Sequence, residues 1–170
     1  MHVYTLQMEQ VVRRPLGEVF SFFSRPENLE KLTPKQLRFR ILTPSPIPMR
    51  AGTLVDYEIR VWGIPLHWRT LISEFEPPCT FVDQQILGPY AFWHHRHTFK
   101  PVDAGTLICD TVHYALPMGP LGRFVHAFYV RHDLSRIFAY RKQSIMALFG
   151  GNWRDLYPST NCASARTPSR

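Results

Sequence analysis

Apolar and polar residues alternate along most of the first two thirds of the chain, then shift to a helical period in the last third. Val3 to Arg13 reads as a strand, with Val3, Thr5, Gln7, Glu9 and Val11 on one face. Pro15 suits the first turn of a short helix through Phe23, because its fixed φ is already helical. Ser24 and Glu27 stand at capping-box spacing, which predicts a second short helix through Leu29 and Leu32, ended by Thr33-Pro34. Leu37 to Leu42 alternates as a strand, and a Pro-rich loop follows from Pro44 to Gly52. Thr53 to Trp62 alternates again, with Val55, Tyr57, Ile59 and Val61 facing inward and Asp56, Glu58 and Arg60 outward. Gly63-Ile64-Pro65 turns into a strand from Leu66 to Glu76, which Pro77-Pro78 breaks. Two strands meeting at Gly88-Pro89 come next, and Ala104-Gly105 turns into a last one, Thr106 to Leu116. Sequential strands with short turns predict an antiparallel meander.

Past Pro117-Met118-Gly119-Pro120 the period becomes helical. Leu121, Phe124, Val125 and Phe128 form one stripe, and Leu134, Ile137, Phe138, Ile145 and Leu148 form another. The stripes meet around His132, which predicts a bend or break between Tyr129 and Asp133, and Gly150-Gly151 ends the helix. The fold class is therefore α+β, with a curved antiparallel sheet, two short helices after the first strand and a long C-terminal helix. Residues 1–150 form one domain, and 151–170 form a polar tail, expected to be largely disordered. A curved sheet around one helix leaves a hollow on its concave face.

The two strands flanking Gly88-Pro89 carry the most chemistry. Phe81, Asp83, Gln85 and Leu87 share one face of the first, and Trp93, His95, His97 and Phe99 share one face of the second. Both sets are bulky and apolar yet hold carboxylate, amide and imidazole groups, whose unpaired burial costs a few kcal/mol each. Those groups need one another, water or a ligand, and so mark a pocket. Asp110, Val112, Tyr114 and Leu116 share a face of the last strand and complete it.

Composition narrows the class. The chain has 170 residues, 45% hydrophobic and 14% aromatic, which fits one globular domain with much bulk to bury. No apolar run reaches a membrane span and no secretory signal is visible. Cys79, Cys109 and Cys162 are odd in number and lack metal-type spacing, so reduced thiols and a cytoplasmic location are expected. The net charge is +7, and from Met118 onward eight Lys/Arg face only Asp133 and Asp155. Such a bias suits a solvated helix face or contact with an anionic membrane surface. No basic stripe interleaved with exposed aromatics supports nucleic-acid binding.

Three motifs bring a resemblance. They are Pro26-Glu27-Asn28-Leu29 with Leu32-Thr33-Pro34; the Phe81-x-Asp83-x-Gln85-x-x-Gly88-Pro89 run with Trp93-x-His95-x-His97-x-Phe99; and Asp110-x-Val112-x-Tyr114-x-Leu116-Pro117-x-Gly119. Over roughly residues 3–149 the chain resembles the SRPBCC helix-grip superfamily, which includes START lipid-transfer domains, birch-pollen-allergen-like proteins, polyketide cyclases and coenzyme Q-binding proteins. Within it, the chain looks like the bacterial ligand-binding SRPBCC domain group. The resemblance implies a cavity between sheet and last helix. It does not fix a reaction, because the fold hosts carriers, cyclases, hydrolases and sensors.

The expected function is binding of a hydrophobic or amphipathic small molecule that is lipid-, quinone- or polyketide-like. Asp83, Gln85, His95 and His97 would anchor its polar group, near Asp110. Tyr57, Trp68, Phe81, Trp93, Phe99 and Tyr114 would wall it. The alternative is a cyclase- or dehydratase-like enzyme in which His95 or His97, beside Asp83, acts as general base. A weaker reading is docking to anionic membrane or a partner through the basic C-terminal region. His95, His97 and Asp83 could also hold a metal, but local spacing fixes no third ligand, so neither metal nor other cofactor is expected. Arg141 interrupts the last apolar stripe and is expected to snorkel to solvent rather than reach Asp110. No nucleophile elbow or phosphate cradle is present, and neither Cys79 nor Cys109 has a base at readable spacing.

Overall fold

A computed structural model of the chain describes residues 1–61 and 63–150. The strands are β1 (Tyr4–Val12), β2 (Arg40–Ile41), β3 (Leu54–Val61), β4 (Ile64–Glu76), β5 (Thr80–Leu87), β6 (Phe92–Val102) and β7 (Gly105–Ala115). The helices are α1 (Leu16–Phe23), α2 (Leu29–Leu32), α3 (Gly119–Val125) and α4 (Arg131–Phe149), with a π-helical turn, His126–Val130, between the last two. The expected tail, 151–170, lies outside the described residues.

The sheet runs β1-β7-β6-β5-β4-β3-β2, antiparallel throughout. β1 closes one edge against β7, and α1 and α2 carry the chain across to the opposite edge. Register shifts between Arg69 and Thr70, and between Ile72 and Glu74, interrupt the β4–β5 ladder. Such irregularities bend strands and help a sheet curve. α4 lies in the concavity with Leu134, Phe138, Arg141, Ile145 and Phe149 buried on one face. Its end is tied to β1, where Gln10 Nε2 donates to the Lys142 carbonyl (3.1 Å) and Arg14 Nε donates to the Phe149 carbonyl (3.3 Å).

Two apolar clusters result. Phe20, Phe23, Phe81, Phe99, Ile108, Ile145 and Phe149 pack at one end of the sheet. Trp68, Trp93, Val112, Tyr114, Leu134 and Phe138 pack at the other.

Three local expectations change. Only Arg40–Ile41 is strand within Leu37–Leu42, because Lys35–Leu37 forms a 3-10 turn that Arg38 leaves at φ 44°. The capping box does not form: Ser24 Oγ donates to the Ser21 carbonyl at 3.4 Å instead. The Glu27 carboxylate accepts from Ser45 Oγ (2.8 Å) and the Ile47 amide (3.2 Å), which pins the Pro-rich loop. The stripe Leu121, Phe124 and Phe128 is exposed, because the π turn shifts the helix phase between it and the buried face of α4. Cys79 is an exposed free thiol, and Cys109 on β7 is buried.

Glu27→Ala should therefore release the loop. Hydrogen exchange at the Ile47 amide should accelerate, with a stability loss of about 1–3 kcal/mol, the usual range for bonds to a charged group. Unchanged exchange from Ser45 to Met49 would contradict this role for Glu27.

Candidate functional site

Alternation along three neighbouring strands builds the polar site. Asp83 on β5 pairs with His95 on β6, and His97 pairs with Asp110 on β7. All four side chains project from the concave face. His95 Nδ1 and His97 Nε2 lie 3.4 and 2.9 Å from Asp83 Oδ2. The other ring nitrogens, His95 Nε2 and His97 Nδ1, lie 3.1 and 2.7 Å from Asp110 Oδ1. Each imidazole thus spans both carboxylates, and the two ring centroids are 3.8 Å apart. Arg141 reaches in from α4, with Nε 3.3 Å from Asp110 Oδ2 and Nη2 3.4 Å from His97 Nδ1.

Apolar groups enclose this network. Phe81 stacks on His97 at 4.2 Å, Phe138 lies 5.8 Å from His95, and the Arg141 guanidinium sits over Phe23 at 5.2 Å. Burial fixes the electrostatics. It raises the Asp110 carboxyl, but Arg141, His97 and His95 overcome it and hold the group well below the ordinary carboxylate range. Burial also works against ionisation of Asp83, yet its two imidazole partners and Arg141 bring it below its usual value. Burial lowers His95, helped by the neighbouring charge of His97 and only partly opposed by Asp83 and Asp110. His97 is raised, because both carboxylates outweigh its desolvation. The surroundings thus favour the charged form of both carboxylates and of His97, and the neutral form of His95.

The network borders a cavity of about 770 Å³ between sheet and helix. Asp83, His95 and His97 line it, as do Tyr57, Trp68, Phe81 and Trp93. Tyr57 and Trp68 stack at 5.8 Å, and Trp68 meets Trp93 edge-on at 5.3 Å. Trp68 Nε1 is buried with no hydrogen-bond partner. Tyr57 hydroxyl contacts Thr70 Oγ1 at 3.3 Å, and burial pushes its pKa far up, so it stays a neutral phenol.

Four predicted site residues do not line the cavity. Gln85 clamps the β5–β6 turn, donating to the Tyr90 carbonyl (2.7 Å) and accepting from the Tyr90 amide (3.3 Å). Phe99 belongs to the packed core at the other end. Tyr114 pairs its hydroxyl with His126 Nε2 at 2.9 Å. Asp110 is fully buried behind the imidazoles.

Sequence reading placed Arg141 in solvent, but it is 7% exposed and inside the network. Its interruption of the Leu134, Phe138, Ile145 stripe was the available signal. Tyr90 and the helix residues Ile137 and Phe138 also line the cavity. Their role follows from curvature, which residue patterns do not encode.

Comparisons with solved structures meet the same architecture. A protein of Chromobacterium violaceum superposes with TM-score 0.67 at 15% identity, covering 87% of this chain and 99% of that one. The Zhui aromatase/cyclase of a Streptomyces species gives 0.61 at 13% identity, covering 88% and 98%. Major latex-like protein 151 of Panax ginseng gives 0.61 at 9% identity, covering 88% and 99%. The chain shares the helix-grip fold of these structures, a curved antiparallel sheet around a long C-terminal helix. No protein-family profile matches it, and no curated protein does.

Breaking one side of a buried ion pair costs about 3–5 kcal/mol. Asp110→Asn should lower thermal stability by that order in a circular dichroism melt at neutral pH. Adding Arg141→Met should cost less than the sum of the two single losses. The sign with pH follows from the depressed Asp110 pKa: its contribution is complete above the unfolded value near 3.8 and fades as pH falls toward the folded one. Additive losses would separate Arg141 from Asp110.

Proposed function

We propose that this helix-grip protein binds a hydrophobic or amphipathic small molecule in the cavity. Asp83, His95 and His97 hold the ligand's polar group, and Tyr57, Trp68, Phe81 and Trp93 contact its apolar body. The carrying observation is the cluster of Asp83 with the buried His95 and His97 at the wall of a mainly apolar hollow of about 770 Å³, a volume within the usual range for small-molecule sites. The unpartnered Trp68 indole N–H adds a donor suited to a ligand oxygen.

An apolar fluorescent probe should bind and quench tryptophan emission, since Trp68 and Trp93 both line the space. Ile59→Trp narrows the hollow without touching the polar network, so it should weaken the probe at least tenfold. A probe that quenches equally in that variant would be binding elsewhere, and the cavity reading would fall.

A second reading draws on the named aromatase/cyclase neighbour. His95, kept neutral by burial beside Asp83, has the form of a general base facing the cavity. Turnover of a polyketide-like ligand that disappears in His95→Gln while binding persists would favour it.

Ligand entry gives the exposed helix face a role. Leu121, Phe124 and Phe128 are 57%, 58% and 60% exposed, with Arg123 and Arg131 in the same segment. Val125, Tyr129 and Val130, interleaved with them, line the cavity. This face docks the cavity mouth on anionic membrane, where apolar rings enter the interface and arginines meet headgroups. Phe124→Ser with Phe128→Ser should reduce sedimentation with anionic phospholipid vesicles at least fivefold. Equal sedimentation with neutral vesicles, or no effect of the double substitution, would refute the docking.

A further inference from the structure

The two imidazoles are arranged with a front and a back. At the back, His95 Nε2 and His97 Nδ1 both meet Asp110 Oδ1, at 3.1 and 2.7 Å. That carboxylate is fully buried, and Arg141 holds its other oxygen at 3.3 Å. At the front, His95 Nδ1 and His97 Nε2 converge on Asp83, which borders the cavity. One donor atom from each of Asp83, His95 and His97 lies within 4.8 Å of the other two, the single such His/Cys/Asp/Glu group among the described residues.

Histidines that ligate a metal usually donate the distal N–H to a carboxylate, which fixes the tautomer and strengthens the facing nitrogen as a donor. Asp110 is placed to do this for both rings at once, and Arg141 supports it from the helix. The front separations, 2.9 and 3.4 Å, also suit neighbouring ligands on one ion. Two donors each about 2.1 Å from a metal stand roughly 3.0–3.4 Å apart at octahedral or tetrahedral angles. The Arg141 charge does not forbid a cation there, since its guanidinium is paired with Asp110 behind the rings.

We infer that Asp83, His95 and His97 form a binding site for one borderline divalent transition metal of the zinc, iron(II) or cobalt(II) class, with open positions toward the cavity. Two imidazoles and one carboxylate suit such ions better than magnesium or calcium, which take oxygen donors. Asp110 and Arg141 are positioning residues: they orient the rings and do not touch the ion. The inference deepens the cavity reading by naming what would meet a ligand's polar group, yet it rests on the side-chain geometry alone.

The test uses the full-length, chelator-treated protein without added ligand. Isothermal titration with Zn²⁺ should give one saturable equivalent per chain, and Co²⁺ should give visible ligand-field bands. His95→Gln, His97→Gln and Asp83→Asn should each weaken Zn²⁺ at least tenfold. Asp110→Asn should weaken it by about 10–100-fold, as outer carboxylates do. His132→Ala, on an exposed part of α4, should change nothing.

If a substitution unfolds the protein, Co²⁺-induced paramagnetic shifts of the His95 and His97 ring protons in the wild-type chain give the same answer. Absence of a saturable equivalent, or binding that survives loss of both imidazoles, would reduce the cluster to an ion-pair network. The apolar-probe measurement is made on metal-free protein, so either result can fail without the other.

Discussion

The buried Asp110 carboxylate is the contact on which the arrangement depends. It is the negative charge that lets Arg141 lie inside the concave face of the sheet, and Arg141 is what α4 contributes at the centre of its buried stripe. Without that pairing the guanidinium has no reason to leave water, and α4 loses a specific registration point against β6 and β7. A buried guanidinium is satisfied only where its carboxylate partner stands, so the pair admits one register. A buried polar contact of this kind contributes more to uniqueness than to net stability.

The network also divides the interior. On one side, Phe20, Phe99, Ile108 and Phe149 close into a packed core. On the other, Tyr57, Trp68, Tyr90 and Trp93 surround open space. The seam between them is satisfied toward the core, where Asp110 meets both imidazoles, and approachable toward the hollow, where Asp83 stands. A chemically asymmetric wall of this kind gives a cavity a direction: a ligand entering it meets aromatic faces along its length and polar atoms at one place.

Much of this could be read from residue order. Period-two alternation located the six long strands within a few residues, and the anomalous imidazoles and carboxylate on the inward faces of β5 and β6 singled out Asp83, His95 and His97. What failed had physical causes. Gln85 has the right parity for the pocket, but its amide is consumed by the adjacent turn at Tyr90. Phe99 also has the right parity, yet position along a strand decides which end of a curved sheet a side chain meets, and Tyr114 packs behind Trp93 and Tyr90 with its hydroxyl on His126. Arg141 was misjudged because snorkelling is the usual fate of an arginine on a helix, and its partner lies 31 residues away on β7. The Ser24 to Glu27 spacing matched a cap, but the carboxylate found better donors across a loop.

The π turn at His126–Val130 has a consequence for how the fold can vary. One additional residue in a helical turn rotates everything upstream by about 100° relative to everything downstream. This swing lets one continuous rod offer greasy side chains to the outside at its beginning and to the sheet along the rest. Excising a single residue there would wind the early stripe inward and put its rings at the entrance of the hollow. In such a relative the same scaffold would hold its contents closed off, with no change to the sheet.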